Sequence, residues 1–391
     1  MKILSIETSC DETGISILEH TSGVEITLLG NALASQIELH AQYGGVFPAM
    51  AKRAHAEKIT LLVQTALDEA YMLDAVETEQ SVPDLSFLDD KETTLKEHLA
   101  PFLAFYQKPD IDYIAVTVGP GLEPALWVGI NTARALSVAW DTPIIPINHM
   151  EGHIVTAAVE KIVDTQYQFA DLQFPLLSLL VSGGHTELVI ARAFGEYEKI
   201  GQTRDDAVGE AFDKVARMLG LPYPGGPAVS KLAAQFREKN SDNPFTLPRP
   251  MLHSGDYDFS FSGIKTATLY AIRDLGRNLA DDDKMALAAA FEDAVVEVLI
   301  KKTIDAATEH NTPTVIVGGG VAGNTYLRTE LAKAVAKKLP DTIVLFPEQW
   351  LATDNAVMIG LAAMLQIISG QIKTASSDEL KADGNLSIDN S

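Results

Sequence analysis

The chain has 391 residues, 47% of them hydrophobic, and a formal charge of −23 at pH 7. That length allows two lobes, each with a core of its own, and no run of 18 apolar residues occurs, so a membrane-spanning helix is excluded. The charge argues against a chain that grips nucleic acid alone, because neutralising phosphates with Lys and Arg carries most of that binding. Residues 73–112 hold ten acids against three lysines and residues 371–391 four against two, yet −14 remains when both stretches are set aside. The single cysteine, Cys10, excludes an internal disulfide and fits a reducing compartment. The first residues run straight into a strand pattern with no charged or Arg-rich leader, which predicts a cytoplasmic protein.

In chain order, short apolar runs at 3–7 and 15–18 flank the polar turn Thr8-Ser9-Cys10-Asp11-Glu12-Thr13-Gly14 and predict a strand–turn–strand opening. A helix is expected over 49–73. The acidic stretch 73–112 reads as an insertion, partly helical, whose best description is a solvated excursion. A strand at 114–118, a helix at 124–140 and a strand at 143–147 follow. The opening pattern then recurs, with apolar runs 176–181 and 187–191 flanking Ser182-Gly183-Gly184-His185-Thr186. Beyond it the patterning predicts helices at 205–219, 284–309, 325–338 and 353–368 and strands at 314–317 and 342–346. Strands alternating with helices mean an α/β protein. Two similar openings, each followed by α/β sequence, predict an internal duplication giving two lobes that face a cleft. The first lobe is expected over 1–147 with about 347–369, the second over 148–346, and the polar tail 370–391 is expected to be disordered.

His149-Met150-Glu151-Gly152-His153 follows the strand at 143–147, where a helix can begin. Histidines four apart project from one helical face, the geometry a metal needs, although such a pair alone is more often an ordinary surface or core feature. Zinc proteases use H-E-x-x-H, with glutamate directly after the first histidine. Here Glu151 lies two positions on, about 200° around the helix, so a protease is disfavoured. Asp354, in Leu351-Ala352-Thr353-Asp354-Asn355, is the best third ligand, with Thr353 expected to cap the next helix and Asp354 in its first turn, where an ordinary dipole-stabilising acid is the competing description. A His/His/Asp set suits zinc or ferrous iron with positions open for a substrate oxygen. The turn Ser182–Thr186, the run Gly318-Gly319-Gly320-Val321-Ala322-Gly323-Asn324 and the loop Tyr223-Pro224-Gly225-Gly226-Pro227 expose backbone N–H groups to an anion. None is a Rossmann or P-loop fingerprint. Asp213, inside a helix, can accept hydrogen bonds from a ribose or amine, and Asp11 and Glu12 are candidate acid/base groups. Nothing beside Cys10 would deprotonate it, so it reads as packing.

Taken together, Ile6-Glu7-Thr8-Ser9-Cys10-Asp11-Glu12-Thr13, Tyr43-Gly44-Gly45-Val46, Gly119-Pro120-Gly121-Leu122, His149-Met150-Glu151-Gly152-His153, Val181-Ser182-Gly183-Gly184-His185-Thr186, Gly209-Glu210-Ala211-Phe212-Asp213-Lys214, Tyr223-Pro224-Gly225-Gly226-Pro227, Phe259-Ser260-Phe261-Ser262-Gly263 and Thr353-Asp354-Asn355 resemble the universal tRNA threonylcarbamoyladenosine transferases, the TsaD family in bacteria. The resemblance runs in family order over about 1–369. It implies the duplicated two-lobed ASKHA fold of actin, Hsp70-type ATPases and sugar kinases. It also implies transfer of the threonylcarbamoyl group from threonylcarbamoyl-AMP to the N6 amine of the adenosine 3′ of the anticodon, in tRNAs reading codons that begin with A. By the same resemblance His149, His153 and Asp354 hold one divalent metal, iron(II) ahead of zinc(II). The adenylate lies against Leu180, Val181, Ser182, Gly183 and Gly184, with Asp213, Gly226 and Asn324. Implied partners are tRNA, an inactive paralogue and a small P-loop ATPase, with a homodimer left open. Lys52, Arg53 and Lys58, or Lys333, Lys337 and Lys338, could add a local basic patch, or simply face solvent. This chain departs from the family pattern in having Gly323 before Asn324, in its longer 73–112 connection and in its C-terminal end. The main competing reading is an ATPase or small-molecule kinase of the same fold, which calls for carboxylates and waters around magnesium; the histidine pair speaks against it.

Overall fold

The structure is a computed structural model that describes residues 1–391 except 22, 90, 91 and 391. It divides into two compact units, one of residues 1–171 with 354–391 and one of residues 172–353. In the first unit the chain forms β1 (Lys2–Glu7), β2 (Glu12–His20), β3 (Glu25–Ser35), α1 (Ile37–Ala41), α2 (Pro48–Glu69), α3 (Thr93–Phe105), β4 (Tyr113–Gly119), α4 (Glu123–Trp140), β5 (Ile144–Asn148), α5 (His149–Ala157), β6 (Val159–Val163) and β7 (Gln166–Phe169). The second unit holds β8 (Leu176–Val181), β9 (Thr186–Ala193), β10 (Glu196–Gln202), α6 (Val208–Met218), α7 (Gly225–Glu238), α8 (Ser262–Asp274), α9 (Asp281–Glu309), β11 (Thr314–Gly318), α10 (Thr325–Lys338) and β12 (Ile343–Leu345). Helix α11 (Ala356–Ile368) returns to the first unit.

The two sheets repeat one plan. The first runs β5-β4-β1-β2-β3-β7-β6 and the second β12-β11-β8-β9-β10. In the first, β1 pairs antiparallel with β2 and parallel with β4, and β4 is parallel to β5. In the second, β8 pairs antiparallel with β9 and parallel with β11, and β11 is parallel to β12. The duplication expected from the two strand–turn–strand openings is therefore present strand for strand, with the β6–β7 hairpin added to the first sheet. The central strands β1, β4, β8 and β11 are almost wholly buried. Covered on both faces, such strands read as continuous apolar runs without alternation.

Three expectations are corrected. The unit boundaries fall at 171/172 and 353/354, later than 147/148 and 346/347, so His149 and His153 belong to the first unit. The hairpin β6–β7 explains the first shift, because it zips onto β3 of the first sheet. The stretch 73–112 is not a solvated excursion: Leu85, Leu88, Leu95, Leu99, Phe102 and Leu103 are buried in the first unit's core, and Glu92 is buried with them against Lys52. The tail 370–391 is packed rather than disordered along its described length. Ala375 pairs with Ile144 at the open edge of β5, and Leu380 and Ile388 are buried. Asp383 N donates to Val118 O at 2.9 Å and Gly121 N to Gly384 O at 3.2 Å. A Cβ at Gly119 would lie 1.9 Å from Asp383 O, so only glycine fits beneath this strand of tail.

Docking the tail buries apolar side chains against a sheet edge that would otherwise stay unpaired. Ending the chain after Ser369 is expected to lower the melting temperature, and Leu380→Ala alone should cost about 2 kcal/mol. Denaturant unfolding of both variants checks this; unchanged midpoints would mean that the tail is not docked in solution.

Candidate metal centre and substrate-binding residues

Helix α5 begins directly after β5, and the Asn148 side chain caps it by accepting from Met150 N at 2.9 Å. All nine of its residues are buried, so both histidines project into protein. Helix α11 starts two residues later than its sequence suggests. Asn355, not Thr353, is its cap, accepting from Met358 N at 3.1 Å, and Asp354 precedes the helix instead of occupying its first turn. Asp354 is therefore not a dipole-stabilising acid. A Cβ at Gly14 would sit 2.8 Å from Ala356 N, so glycine there lets β2 and the start of α11 meet closely.

These elements bring Asp354 Oδ1 to 3.4 Å from His149 Nε2 and 3.2 Å from His153 Nε2. The rings meet edge to face, with centroids 4.7 Å apart. One ligand atom from each of the three residues lies within 4.8 Å of the others, a grouping that could hold a metal ion. Behind it, Glu7 ends β1 fully buried. Its carboxylate accepts from Ser9 N at 2.5 Å, from Thr117 Oγ1, and from His149 Nδ1 at 3.2 Å. Ser9 Oγ lies 3.2 Å from the same ring nitrogen. Glu151 points elsewhere and accepts from Gln366 Nε2 at 2.9 Å, in keeping with its place around the helix.

The electrostatics follow from the crowding. Burial disfavours charge on every member, yet Asp354 and Glu7 on either side push the His149 imidazole up to about 10. Burial is likewise outweighed at Asp354, which His149 and His153 hold well below the carboxylate range, and at Glu7, which His149 and Ser9 hold down. His153 moves the other way, because burial dominates and lowers it. Its approach to Asp354 is not aligned as a hydrogen bond, and both His153 ring nitrogens are buried with no hydrogen-bond partner. Such orphaned groups are rare and call for a missing ligand or ion. A cation beside Asp354 would satisfy Nε2, so the donor set fits a divalent metal.

Asp11 is buried and Glu12 half-buried in the β1–β2 turn. Burial, with Asp11 and Asp354 nearby, pushes the Glu12 carboxyl up to about 10, so the two adjacent acids of the turn hold one proton between them at neutral pH. Burial and the same acids push the Cys10 thiol up as well, which leaves it unreactive. On the far side of the turn, His55 of α2 donates from Nε2 to Cys10 O at 3.1 Å, and burial pushes it down to about 4.

The second unit gathers its own set. Leu180 and Val181 are buried in β8, and the turn after them exposes Gly183 and Gly184, with nothing near either Cα on its open side. Ser182 Oγ accepts from Gly184 N at 3.3 Å and His185 N at 3.1 Å, and Ser182 O accepts from Gly209 N of α6 at 3.1 Å. Asp213 accepts from Gly225 N at 2.7 Å and so ties α6 to the start of α7, where Gly226 is open. Asn324 caps α10 by accepting from Leu327 N, and its amide nitrogen donates to Ser230 Oγ at 2.9 Å and to buried Glu292 at 2.8 Å. Both amide protons are thus used inside the chain, so Asn324 holds Ser230 and Glu292 in place and has no side-chain proton left to donate. The unusual Gly323 lies beside the Gln349 amide, 3.0 Å from where a Cβ would be, and the cap is undisturbed.

All the residues expected from the sequence therefore fall into two local sets, Asp11, Glu12, His149, His153 and Asp354 in the first unit and Leu180–Gly184, Asp213, Gly226 and Asn324 in the second. Sequence reasoning missed Glu7, Ser9, Thr117, Ser230, Glu292 and His55. Glu7 alone left a trace, as a carboxylate ending an otherwise apolar strand.

Comparison with known proteins gives a consistent result. The family model TsaD, tRNA N6-adenosine threonylcarbamoyltransferase, matches residues 27–75 and 104–361. The protein of that name from Bacillus subtilis is 42% identical over 373 residues, 95% of this chain and 92% of that protein. Its Staphylococcus saprophyticus counterpart is 43% identical over 360 residues, covering 92% and 90%, and that of Listeria innocua 40% over 369, covering 94% and 92%. The solved structure of full-length HypF in its phosphate- and nucleotide-bound form shares the fold, with a TM-score of 0.50 at 13% identity; the match spans 92% of this chain but 54% of that one.

Glu7, Asp11 and His40 face His55 from neighbouring elements. The unfolded His55 imidazole takes a proton near pH 6.5, whereas the native one refuses it until about 4. The stability tied to this residue is therefore fully present above pH 6.5 and drains as pH falls toward 4, by at most about 3 kcal/mol. Urea midpoints measured against pH should show this slope, and His55→Gln should lose it.

Proposed function

The chain belongs to the tRNA N6-adenosine threonylcarbamoyltransferase family, an acyltransferase family, and on that premise we propose how its own residues carry out the transfer. The substrate is the N6 amine of the adenosine 3′ of the anticodon in tRNAs reading codons that begin with A, and the donor is threonylcarbamoyl-AMP. The amine attacks the carbamoyl carbon, a C–N bond forms, the bond to the phosphate oxygen breaks, and AMP leaves with that electron pair. His149, His153 and Asp354 hold one divalent metal, iron(II) ahead of zinc(II). When bound, it supplies a Lewis acid for an oxygen of the adenylate and stabilises the charge that develops as AMP departs. The observation that carries this reading is His153, whose imidazole is buried with neither nitrogen hydrogen-bonded.

Glu7 accepts the Nδ1 proton of His149 and so leaves Nε2 free as the ligand atom, the usual carboxylate–histidine support of a metal site. The open glycine backbone of the turn at Gly183 and Gly184 and the open α7 start at Gly226 receive the adenylate, with Leu180 and Val181 as the rigid strand beneath. Asp213 and Asn324 shape that site by holding Gly225 and Ser230. The acid pair of the β1–β2 turn, Asp11 with Glu12, takes the proton released by the amine.

The charge implies how tRNA is gripped. Lys52, Arg53 and Lys333 are paired with Glu92, Glu57 and Glu330, so half of the six candidate cations already face an acid of the chain. Phosphate neutralisation then falls to an assembly, with an inactive paralogue and a small P-loop ATPase as the partners. Among the described residues no helix is long and apolar enough to cross a membrane, and a tRNA-directed enzyme belongs in the cytoplasm.

With the partners present, label should pass from threonine-labelled threonylcarbamoyl-AMP to unmodified tRNA. His149→Ala and Asp354→Ala should each lower this transfer by about a hundredfold or more, and full activity in both variants would overturn the metal assignment. Glu7→Gln should weaken metal binding by about 10- to 100-fold, measured by titrating the metal-stripped protein; unchanged affinity would remove Glu7 from the site.

A further inference from the structure

Between the Tyr43–Val46 loop and the Cys10–Glu12 turn runs a chain of buried polar groups that the transfer chemistry does not use. Gln36, just before α1, His40 within it and His55 in α2 are all buried. Phe47 N lies 3.4 Å from His40 Nδ1, and His40 Nε2 lies 3.2 Å from Gln36 Oε1. Gln36 Nε2 lies 3.2 Å from His55 Nδ1 and 3.4 Å from Ala51 O. His55 Nε2 then reaches Cys10 O at 3.1 Å, and Thr13 Oγ1 adds a contact to His55 Nδ1 at 2.7 Å.

Both ends of this chain are backbone groups of fixed polarity, and that settles everything between them. A backbone N–H can only donate, so His40 Nδ1 is bare and its proton sits on Nε2. That proton needs an acceptor, which is Gln36 Oε1. The Gln36 nitrogen then faces the Ala51 carbonyl and His55 Nδ1, both of which accept. His55 accordingly carries its proton on Nε2 and donates it to the Cys10 carbonyl, which cannot donate. Running the chain backwards would set N–H against N–H at Phe47 and leave the Cys10 carbonyl facing a bare nitrogen. One arrangement survives, with both imidazoles neutral. Gln36 also donates its backbone N–H to Asp11 O at 2.9 Å, so the carbonyls of two consecutive turn residues are held from the same side.

We propose that Gln36, His40 and His55 form a one-way hydrogen-bond relay that fixes the Cys10 and Asp11 peptides and thereby aims the Asp11–Glu12 acid pair used in the transfer. They are positioning residues and touch no substrate. Burial that keeps His55 neutral well below pH 7 serves the same end. The kinetic part of the inference rests on the transfer reading given above; the polarity of the relay does not.

Long-range proton–nitrogen NMR spectra of the full chain at pH 7 test the polarity directly. Both His40 and His55 should appear as neutral imidazoles protonated at Nε2, and a His55 protonated at Nδ1, or doubly protonated, would overturn the relay. Gln36→Glu keeps the shape but replaces the donor with an acceptor, so His55 should become doubly protonated at neutral pH. In the reconstituted transfer assay this variant should lose about tenfold in kcat, with KM for tRNA and metal content unchanged. A variant whose His55 is doubly protonated but whose kcat is that of the native chain would overturn the positioning role. If Gln36→Glu does not fold, His40→Leu and His40→Gln decide instead. Leucine removes the donor to Gln36 and should lower kcat to a similar degree, whereas glutamine restores that donor and should recover most of the loss; equal losses in the two would refute the relay. Absence of transfer by the native chain would instead fail the transfer reading and leave the spectra to judge the relay.

Discussion

Everything at the first unit's site depends on keeping two carboxylates and two imidazoles together with little water around them: Glu7, His149 and His153 are buried and Asp354 is only partly exposed. Removing a single ion from water costs several kcal/mol after relaxation, so Glu7 and Asp354 persist as anions only because cationic or hydrogen-bonding partners surround them. Without a metal, the proton on His149 is that partner, lying between the two acids. It balances one negative charge and leaves one over, and it does nothing for His153. A divalent cation held by Asp354, His149 and His153, with His149 neutral and donating its Nδ1 proton to Glu7, would balance both acids and satisfy one nitrogen of the orphaned ring. The site is thus a poor resting place for a proton and a good one for a dication.

That constraint explains local features that would otherwise look arbitrary. Helix α5 is buried all round, which a helix tolerates when it is held on every side. Asn148 and Asn355 cap α5 and α11 with their own side chains, so the two helix starts nearest the ligands carry no charged cap to disturb the balance. Glu7 comes from the end of β1, Thr117 from β4 and His149 from the residue after β5. These are three adjacent strands of the first sheet, and the repeated plan places their ends together. The second unit repeats the strand plan but puts exposed glycines and a serine turn at the corresponding place after β8, where the first unit has Thr8–Asp11 after β1. One architecture therefore presents carboxylates in one copy and backbone donors in the other.

Much of this was legible in the sequence, and the boundary of legibility is physical. The α/β class, the duplicated openings and the histidine spacing all rest on short-range periodicity, which the chain displays openly: β8 and α10 begin and end where the pattern says. Strands β3, β6, β7 and β10 were not legible, because edge and near-edge strands are half-exposed and carry no continuous apolar run. The Thr353 cap was misassigned because Thr353 and Asn355 are both good caps and only tertiary packing chooses between them. Glu7 and His55 were invisible for a deeper reason. A glutamate at a strand end or a histidine inside a helix has no local signature of burial, and their roles come from partners more than a hundred and about forty-five positions away. The tail was misread because composition alone cannot tell a polar segment that stays free from one that spends a few apolar residues, such as Leu380 and Ile388, on a sheet edge.

The additions to the common plan all fall on the first unit: the β6–β7 hairpin, the stretch around 76–103 that the family model leaves unmatched, and the packed tail beyond residue 361. They add little new chemistry but considerable support to what bears the metal ligands. Phe87 of the inserted stretch lies under Arg134 of α4, and Arg134 in turn reaches Asp378 of the tail, so insertion and tail are clasped across one helix. The tail then crosses the Gly119–Gly121 turn, and its Ser387 carbonyl accepts from the Asn148 amide at 3.4 Å, the residue whose side-chain oxygen caps α5. Each contact is weak by itself, but they converge on the cap of the helix whose first residue is His149. Apart from Glu92, their described acids are exposed, so the same segments that stiffen the candidate metal centre also make much of the surface negative. A chain built this way repels phosphates over the Debye length of about 8 Å at physiological salt. A tRNA substrate is then directed away from these segments.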